Sequence, residues 1–355
     1  MEKTPSSDVA IIGAGPAGLF AAFYAGLRSL QTRVFEALPF VGGQVAALYP
    51  EKTILDVGGF PAIRGAELVA ALERQSQLGG PAIHLDEAVT GLRRTDTGFV
   101  LSTAKGEYTA RAVIVAVGVG RFSPRPAGVQ DVDRWEGRGL LRTVHDLGSY
   151  RGARVLVVGG GDSALDWAAE LADVGAEVTL VHRREEFRGL ESSLTRAEQA
   201  GVRIRRSTVV DALVGDRRPE RALLRHISSG WSEEVHCDAV VLALGFVADL
   251  SLVRTWGLPL DGRGIVVAPD TMATAPGVFA IGDAVTYPGK LKLIATAFAE
   301  AALAVSAAAT SLDPRARLQV GHSTAISADP DRSSPGREVA HLSGPEVAAG
   351  TEPPR

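Results

Sequence analysis

Cysteine is almost missing: Cys237 is the only one in 355 residues. A lone thiol cannot close an internal disulfide. That excludes a disulfide-stapled scaffold and any chemistry needing a dithiol pair, and it fits a reducing compartment. Cys237 stands within Val235-His-Cys-Asp238 just before an apolar run, where a small packed thiol is expected in place of a reactive one. A dominant sign of charge is missing as well. Lys and Arg total 37 against 41 for Asp and Glu, a net charge of −4, without the broad basic excess of a nucleic-acid binder. Long unbroken apolar runs are scarce. The one candidate, from Leu293 to about Ala309, is alanine-rich with Glu300 at its middle, so it reads as a buried helix and no membrane association is expected. The amino terminus puts Glu2 and Asp8 ahead of a glycine-interrupted apolar stretch, unlike the basic-then-apolar order of a signal peptide. A cytoplasmic protein is expected. No metal site is expected either.

What is present is the make-up of a soluble globular protein: 46% hydrophobic and 22% charged residues, at a length that implies two or three domains. The 40 glycines follow no three-residue period, which excludes a collagen-like chain and leaves tight turns and close backbone approaches as their use.

The most informative of them stand in Gly13-Ala-Gly-Pro-Ala-Gly18. The apolar strand Asp8-Val-Ala-Ile-Ile12 precedes them and a helical run from Leu19 to about Gly26 follows, the strand, glycine turn and helix of a dinucleotide-binding unit. Gly13 permits the turn, Gly15 lets backbone approach a pyrophosphate, and Gly18 allows the helix to pack closely. The exposed amides at the helix start attract the anion. The next strand, Thr32-Arg-Val-Phe35, runs into Glu36, a carboxylate placed to accept from a ribose diol.

The signal then recurs. Arg154-Val-Leu-Val-Val158 leads into Gly159-Gly-Gly-Asp-Ser-Ala164 and a helix through Trp167 and Leu171, so Gly159, Gly161 and Ala164 mark a second nucleotide site. After Val178-Thr-Leu-Val181, the place held by Glu36 in the first unit is taken by His182, followed by Arg183 and Arg184, with Arg188 in the next turn. Guanidinium groups there suit the 2′-phosphate of NADP, which an acid would repel. Two apolar strands ending in glycine, Ala112 to Gly118 and Asp238 to Gly245, are the crossing points between units. The expected architecture is α/β with two Rossmann-like dinucleotide-binding domains. Residues 1–117 and 247–327 form a discontinuous first domain, 118–246 the inserted NADP domain, and 328–355 a disordered tail.

On these motifs the sequence resembles the thioredoxin-reductase-like class of ferredoxin-NADP reductases. The likeness extends through Gly42-Gly-Gln44, Ala47-Leu-Tyr-Pro-Glu-Lys52, Asp56-Val-Gly-Gly-Phe-Pro61, Ile281-Gly-Asp283, Lys290-Leu-Lys-Leu-Ile-Ala295 and His322-Ser-Thr324. It implies FAD in the first site and NADP in the second. By the same resemblance Glu36 holds the adenosine ribose, Gln44 and Val89 contact FAD, Tyr49 lies on one face of the isoalloxazine and Phe122 packs near the cofactor. Asp283 bonds the ribityl chain, and the amino end of the helix from about Leu293 faces the flavin, Glu300 on it needing no role. His322 and Thr324 reach the flavin of the partner subunit in a homodimer, although Ala325-Ile326-Ser327 departs from the class.

Thioredoxin reductases share the plan but relay electrons through a CxxC pair, which this chain lacks. The resemblance therefore implies hydride transfer from NADPH to FAD and two one-electron steps to ferredoxin, with no catalytic acid or base. The alternatives are a reductase of flavodoxin, quinone or another small acceptor, or a flavin redox sensor. An acidic ferredoxin calls for a local basic face; Lys52, Lys290 and Lys292 are candidates, each equally readable as a solvated lysine.

Overall fold

The structure is a computed structural model in which residues 7–319 are described. His322, Thr324 and the tail from Ala328 lie outside the described residues. Two sheets organise the chain, the first parallel apart from its edge strand Ala273–Ala275 and one hairpin, the second parallel throughout. In the first, the strand order from one edge is Ala273–Ala275, Val278–Ala280, Gly106–Val115, Ser7–Ile12, Thr32–Phe35 and Ala82–His84. Ser7–Ile12 lies between its two parallel neighbours in register, with Ile11 opposite both Val34 and Ile114. Val9, Ala10, Ile11 and Ile12 are all buried, as expected of a parallel strand covered on both faces. A hairpin of Val89–Thr95 and Gly98–Thr103 joins this sheet antiparallel through Gly106–Val115.

Two helices cover one another beside this sheet. Helix α1 (Pro16–Leu27) follows the first glycine turn and contacts α7 (Ile294–Leu312), with the rings of Phe20 and Phe298 4.9 Å apart. Although α7 is long and apolar enough to cross a membrane, its Ala301, Ala304, Val305 and Ala308 are fully buried in the protein core. The run from Leu293 is thus a core helix, as its composition implied. Along the chain, α1 and α7 are separated by α2 (Gly43–Leu48), α3 (Gly65–Gln77), α4 (Asp162–Asp173), α5 (Glu191–Gln199) and the short α6 (Ser251–Arg254).

The second sheet has the order Leu140–Leu141, Ala239–Ala243, Arg154–Gly159, Glu177–Val181 and Arg203–Arg205, all parallel. Its strands alternate in what they meet. Val155 and Val157 share a core with Trp167 and Leu171 of α4, while Leu156 packs with Val210, Leu213 and Leu224 on the opposite face. Those last residues belong to an antiparallel sheet of Thr208–Val214, Arg221–His226 and Ser232–His236. Cys237 is buried in the same cluster.

Between the sheets the chain runs through a two-stranded antiparallel ribbon, Arg121–Pro124 with Phe246–Asp249. Gly118, Gly120 and Gly245 beside it all have left-handed φ. At Gly120 a side chain would collide with the Asp249 carbonyl, so the two strands approach there as only glycine permits.

Candidate functional site

The first glycine turn separates structural glycines from a permissive one. A Cβ on Gly13 (φ +106°) would strike the Ala116 carbonyl oxygen, and one on Gly18 would strike the carbonyl oxygen of Gly13. Both are demanded by the fold itself. Gly15 is different: it caps α1 at φ −69°, and the nearest atom to a Cβ there is the Gly43 Cα at 3.9 Å. The protein leaves space in front of Gly15, at the amino end of a helix, where unpaired amides and the helix dipole favour an anion.

Glu36 closes this turn from the next strand. It is buried, with Oε2 accepting from the Ala14 amide at 2.7 Å and Oε1 from the Leu38 amide at 3.0 Å. Each carboxylate oxygen keeps acceptor capacity for a further donor. Val89 stands on the same side, buried at the head of its hairpin, two residues after Glu87, whose amide donates to the Glu36 carbonyl at 2.8 Å.

Helix α2 is tied to the turn by the Gly42 amide, which donates to the Ala14 carbonyl at 2.8 Å. This brings Gln44 to Gly118: its Nε2 lies 2.9 Å from where a Cβ on Gly118 would be. Tyr49 ends α2, and burial pushes its hydroxyl up to about 12, with the Asp283 and then the Asp56 carboxylates adding to the effect. Asp283 comes from the far end of the sequence, in the single turn Gly282–Ala284 after the strand Val278–Ala280. Gly282 (φ +76°) seats this turn on α1, a Cβ there lying 3.3 Å from the Ala17 Cβ. Gly13, Gly15, Gly18, Glu36, Gln44, Tyr49 and Asp283 thus converge on the start of α1. Phe122 lies on the connecting ribbon, paired with Ala248.

The second turn repeats the separation. A Cβ on Gly159 would lie 2.5 Å from the Ala243 carbonyl oxygen and 2.7 Å from the Cβ of Ala164, itself buried. Gly160 lies directly under the His182 ring. Gly161 caps α4 at φ −103° with nothing within 4 Å of a Cβ. His182 packs beneath the turn and does not join the cations: it is buried, stacks on Phe187 with centroids 4.8 Å apart, and bonds the Glu186 carbonyl through Nε2 at 3.1 Å. Burial lowers its pKa, and the charges of Arg184, Arg183 and Arg188 act in the same sense. Those three arginines are exposed, and among the described residues no hydrogen bond or ion pair engages their side chains. Nearby Arg205 and Arg206, by contrast, are paired with Glu233 at 3.0 Å and Glu198 at 3.6 Å. The backbone carries the free cations to the turn, since the Arg188 amide donates to the Gly160 carbonyl at 2.8 Å.

Two of the three candidate docking lysines are engaged elsewhere. Lys290 is buried against Glu300, and Lys52 Nζ pairs with Asp166 Oδ2 at 2.8 Å. A lysine neutralised by a buried or half-buried carboxylate adds little attraction for an acidic partner, so only Lys292 remains exposed. Glu300 itself, for which the sequence called for no role, is at the centre of a buried hydrogen-bond network. The Cys237 thiol is buried and pushed up to about 11, out of range for a nucleophile near neutrality. Among the described residues no group of three or more His, Cys, Asp or Glu is placed to hold a metal ion.

Open space at Gly15 and Gly161, each at a helix start beyond a parallel strand, fits two pyrophosphates, and the side chains beyond each turn fit two different riboses. Comparison with known proteins agrees. The family model for pyridine nucleotide-disulphide oxidoreductases matches residues 7–301. The chain belongs to that family. Within it, the chain is 44% identical over 321 residues to the ferredoxin–NADP reductase of Geobacillus kaustophilus, covering 90% of this chain and 97% of that one. It is 39% identical over 327 residues to ferredoxin–NADP reductase 2 of Listeria welshimeri, covering 92% and 99%. It is thus also a member of the ferredoxin–NADP reductase group of the family. Among solved structures, thioredoxin reductase of Lactococcus lactis in its FR conformation superposes with a TM-score of 0.72 at 26% identity, over 86% of this chain and 99% of that one. Thioredoxin reductase of T. acidophilum gives 0.73 at 24% identity over the same shares, a likeness of fold. The two-domain α/β architecture of this family member is that of the thioredoxin reductases.

Proposed function

We propose that this chain is a flavin-dependent oxidoreductase that passes electrons between NADPH and a ferredoxin through FAD. The observation that carries it is the contrast between the two turns: a buried acid, Glu36, beyond the first and three arginines beyond the second that are unpaired among the described residues. An acid at the first ribose accepts from a diol and repels a 2′-phosphate; Arg183, Arg184 and Arg188 do the reverse. Relatives at 39–44% identity named ferredoxin–NADP reductase support the same pair of substrates.

FAD, when bound, supplies the conversion of one hydride into two single electrons. The protein's part is to bind and orient. Residues 1–117 and 247–327 hold FAD in this reading and residues 118–246 hold NADP. Gly15 leaves room for the flavin pyrophosphate, Glu36 and Val89 serve its adenosine half, and Gln44, Tyr49, Phe122 and Asp283 its flavin half. Gly159, Gly161 and Ala164 let the second pyrophosphate approach α4. The amino end of α7 favours negative charge near it. No side chain is assigned an acid or base role. With one buried thiol in the whole chain, electrons leave without a sulfur relay.

The reading extends to a cytoplasmic homodimer that binds neither nucleic acid nor membrane, with His322 and Thr324 lying at the partner's flavin. Anaerobic stopped-flow mixing of NADPH-reduced protein with oxidised ferredoxin tests it. Reoxidation that saturates with ferredoxin concentration is expected. Reoxidation by a flavodoxin or quinone but not by ferredoxin would reassign the acceptor.

A further inference from the structure

Glu300 is the most deeply buried charge among the described residues that the proposed chemistry leaves unused. It projects from α7 into the protein, 2% exposed, and its two oxygens face three donors. Oε2 accepts from the Gly282 amide at 2.7 Å. Oε1 accepts from the Tyr287 hydroxyl at 2.7 Å and pairs with the Lys290 ammonium, whose side chain is itself only 6% exposed. Burying a carboxylate and an ammonium together costs desolvation of both, so a core helix would be served as well by another alanine unless the pair does something more.

What it does is visible in the donor it selects. The Gly282 amide belongs to the turn that carries Asp283, Gly282 is in the left-handed region, and the turn is seated on Ala17 of α1. A single turn of three residues has no ladder of its own to hold it. Glu300 supplies that hold from the neighbouring helix, while Lys290 and Tyr287 fix the carboxylate in direction. The Tyr287 hydroxyl is pushed up to about 12 by burial and by this bond, so it remains a donor throughout the working range.

We propose that Glu300, clamped by Lys290 and Tyr287, is a positioning residue for Asp283, and through it for the flavin half of the FAD site. This rests on the reading that FAD is held at the first turn. Glu300 does not touch the cofactor in this proposal; it sets where Asp283 stands.

The test is FAD uptake by the apoprotein, followed by quenching of flavin fluorescence, with the visible spectrum and reduction potential of the reconstituted protein as second readouts. Glu300→Gln keeps the volume but turns one acceptor into an amino group facing the Lys290 ammonium. The Kd for FAD is expected to rise about tenfold or more, as for loss of a charge-assisted hydrogen bond. In the double variant Lys290→Met with Glu300→Gln the clash is gone and the carboxamide can serve Gly282 with its oxygen and Tyr287 with its amino group. That variant is expected to bind FAD within about threefold of the wild type while its flavin potential stays shifted, because the buried charges are gone. NADP⁺ binding to the same apoproteins is expected to be unchanged. Wild-type FAD affinity and potential in Glu300→Gln would overturn the proposal, as would failure of the double variant to recover FAD affinity at an unchanged melting temperature. Wild-type protein that takes up no FAD at all would overturn the functional reading beneath it.

Discussion

Lys52 and Asp166, far apart in sequence, meet at 2.8 Å, and the Lys52 ammonium also lies 5.5 Å from the centre of the Trp167 ring. Lys52 follows α2 and Tyr49, on the side of the first glycine turn; Asp166 is on α4, the helix after the second glycine turn. The pair therefore links the two units directly, a second contact besides the glycine-rich ribbon. Thr143 adds a hydrogen bond to the Leu48 carbonyl at 3.3 Å across the same boundary.

A double-mutant cycle with Lys52→Met and Asp166→Asn measures that link. The pair is partly buried, so a coupling energy of about 1 kcal/mol in denaturant unfolding is expected. Additive effects of the two substitutions would mean that the contact holds nothing in solution.

The glycines make a sharper contrast. Gly159→Ala drives a Cβ into the Ala243 carbonyl and the Ala164 methyl, and should destabilise the fold by about 1–3 kcal/mol. Gly161→Ala meets nothing, and unfolding of the free protein should change by no more than about 0.5 kcal/mol. NADPH affinity should nevertheless fall in Gly161→Ala, because the methyl occupies the space in front of α4. Equal melting temperatures for the two variants, or unaltered NADPH binding in Gly161→Ala, would contradict the assignment.

Neutralising Arg183 and Arg184 together should weaken NADPH binding by about 1–3 kcal/mol and leave NADH nearly unchanged. Isothermal titration with each coenzyme gives the comparison. A common loss for both would place these arginines outside the 2′-phosphate site.

Glu170 on α4 supplies a pH signature. Burial pushes its carboxyl up to about 7, and its Oε2 is buried with no hydrogen-bond partner among the described residues. Between about pH 4.5 and 7 the folded state holds a proton that the unfolded state has released, so stability falls as pH rises through this window. Glu170→Gln removes the penalty: it should match the wild type near pH 4 and exceed it by about 1–3 kcal/mol at pH 8. Denaturant melts at several pH values check the direction, and a constant difference across them would contradict it.

Both strand–glycine–helix units were legible in the sequence because their signals are local. The apolar runs before Gly13 and Gly159 and the side chains after the following strands are fixed by the covalent spacing of the dinucleotide unit itself. Cys237 was legible for a similar reason, as a lone thiol beside an apolar strand. The antiparallel hairpins after Val89 and Thr208 were not, since their half-exposed strands are defined by the partner across the pair. Nor were the contacts of Lys52 and Lys290, which look like solvated lysines until the fold brings Asp166 and Glu300 to them. Glu300 did carry a signal: an acid within an otherwise small and apolar helix is expected to have a buried partner. His182 takes the place that Glu36 holds in the first unit, and the stacking of Phe187 and the proximity of Gly160 put its ring inside.

In the proposed function one chain holds FAD beyond its first glycine turn and discriminates NADPH at its second. Anaerobic titration of the purified protein tests it most directly. One bound FAD per chain is expected, its yellow absorption bleached by stoichiometric NADPH and far less readily by NADH. Protein that is colourless and cannot be reconstituted with FAD, or whose flavin is bleached equally by both coenzymes, would contradict it.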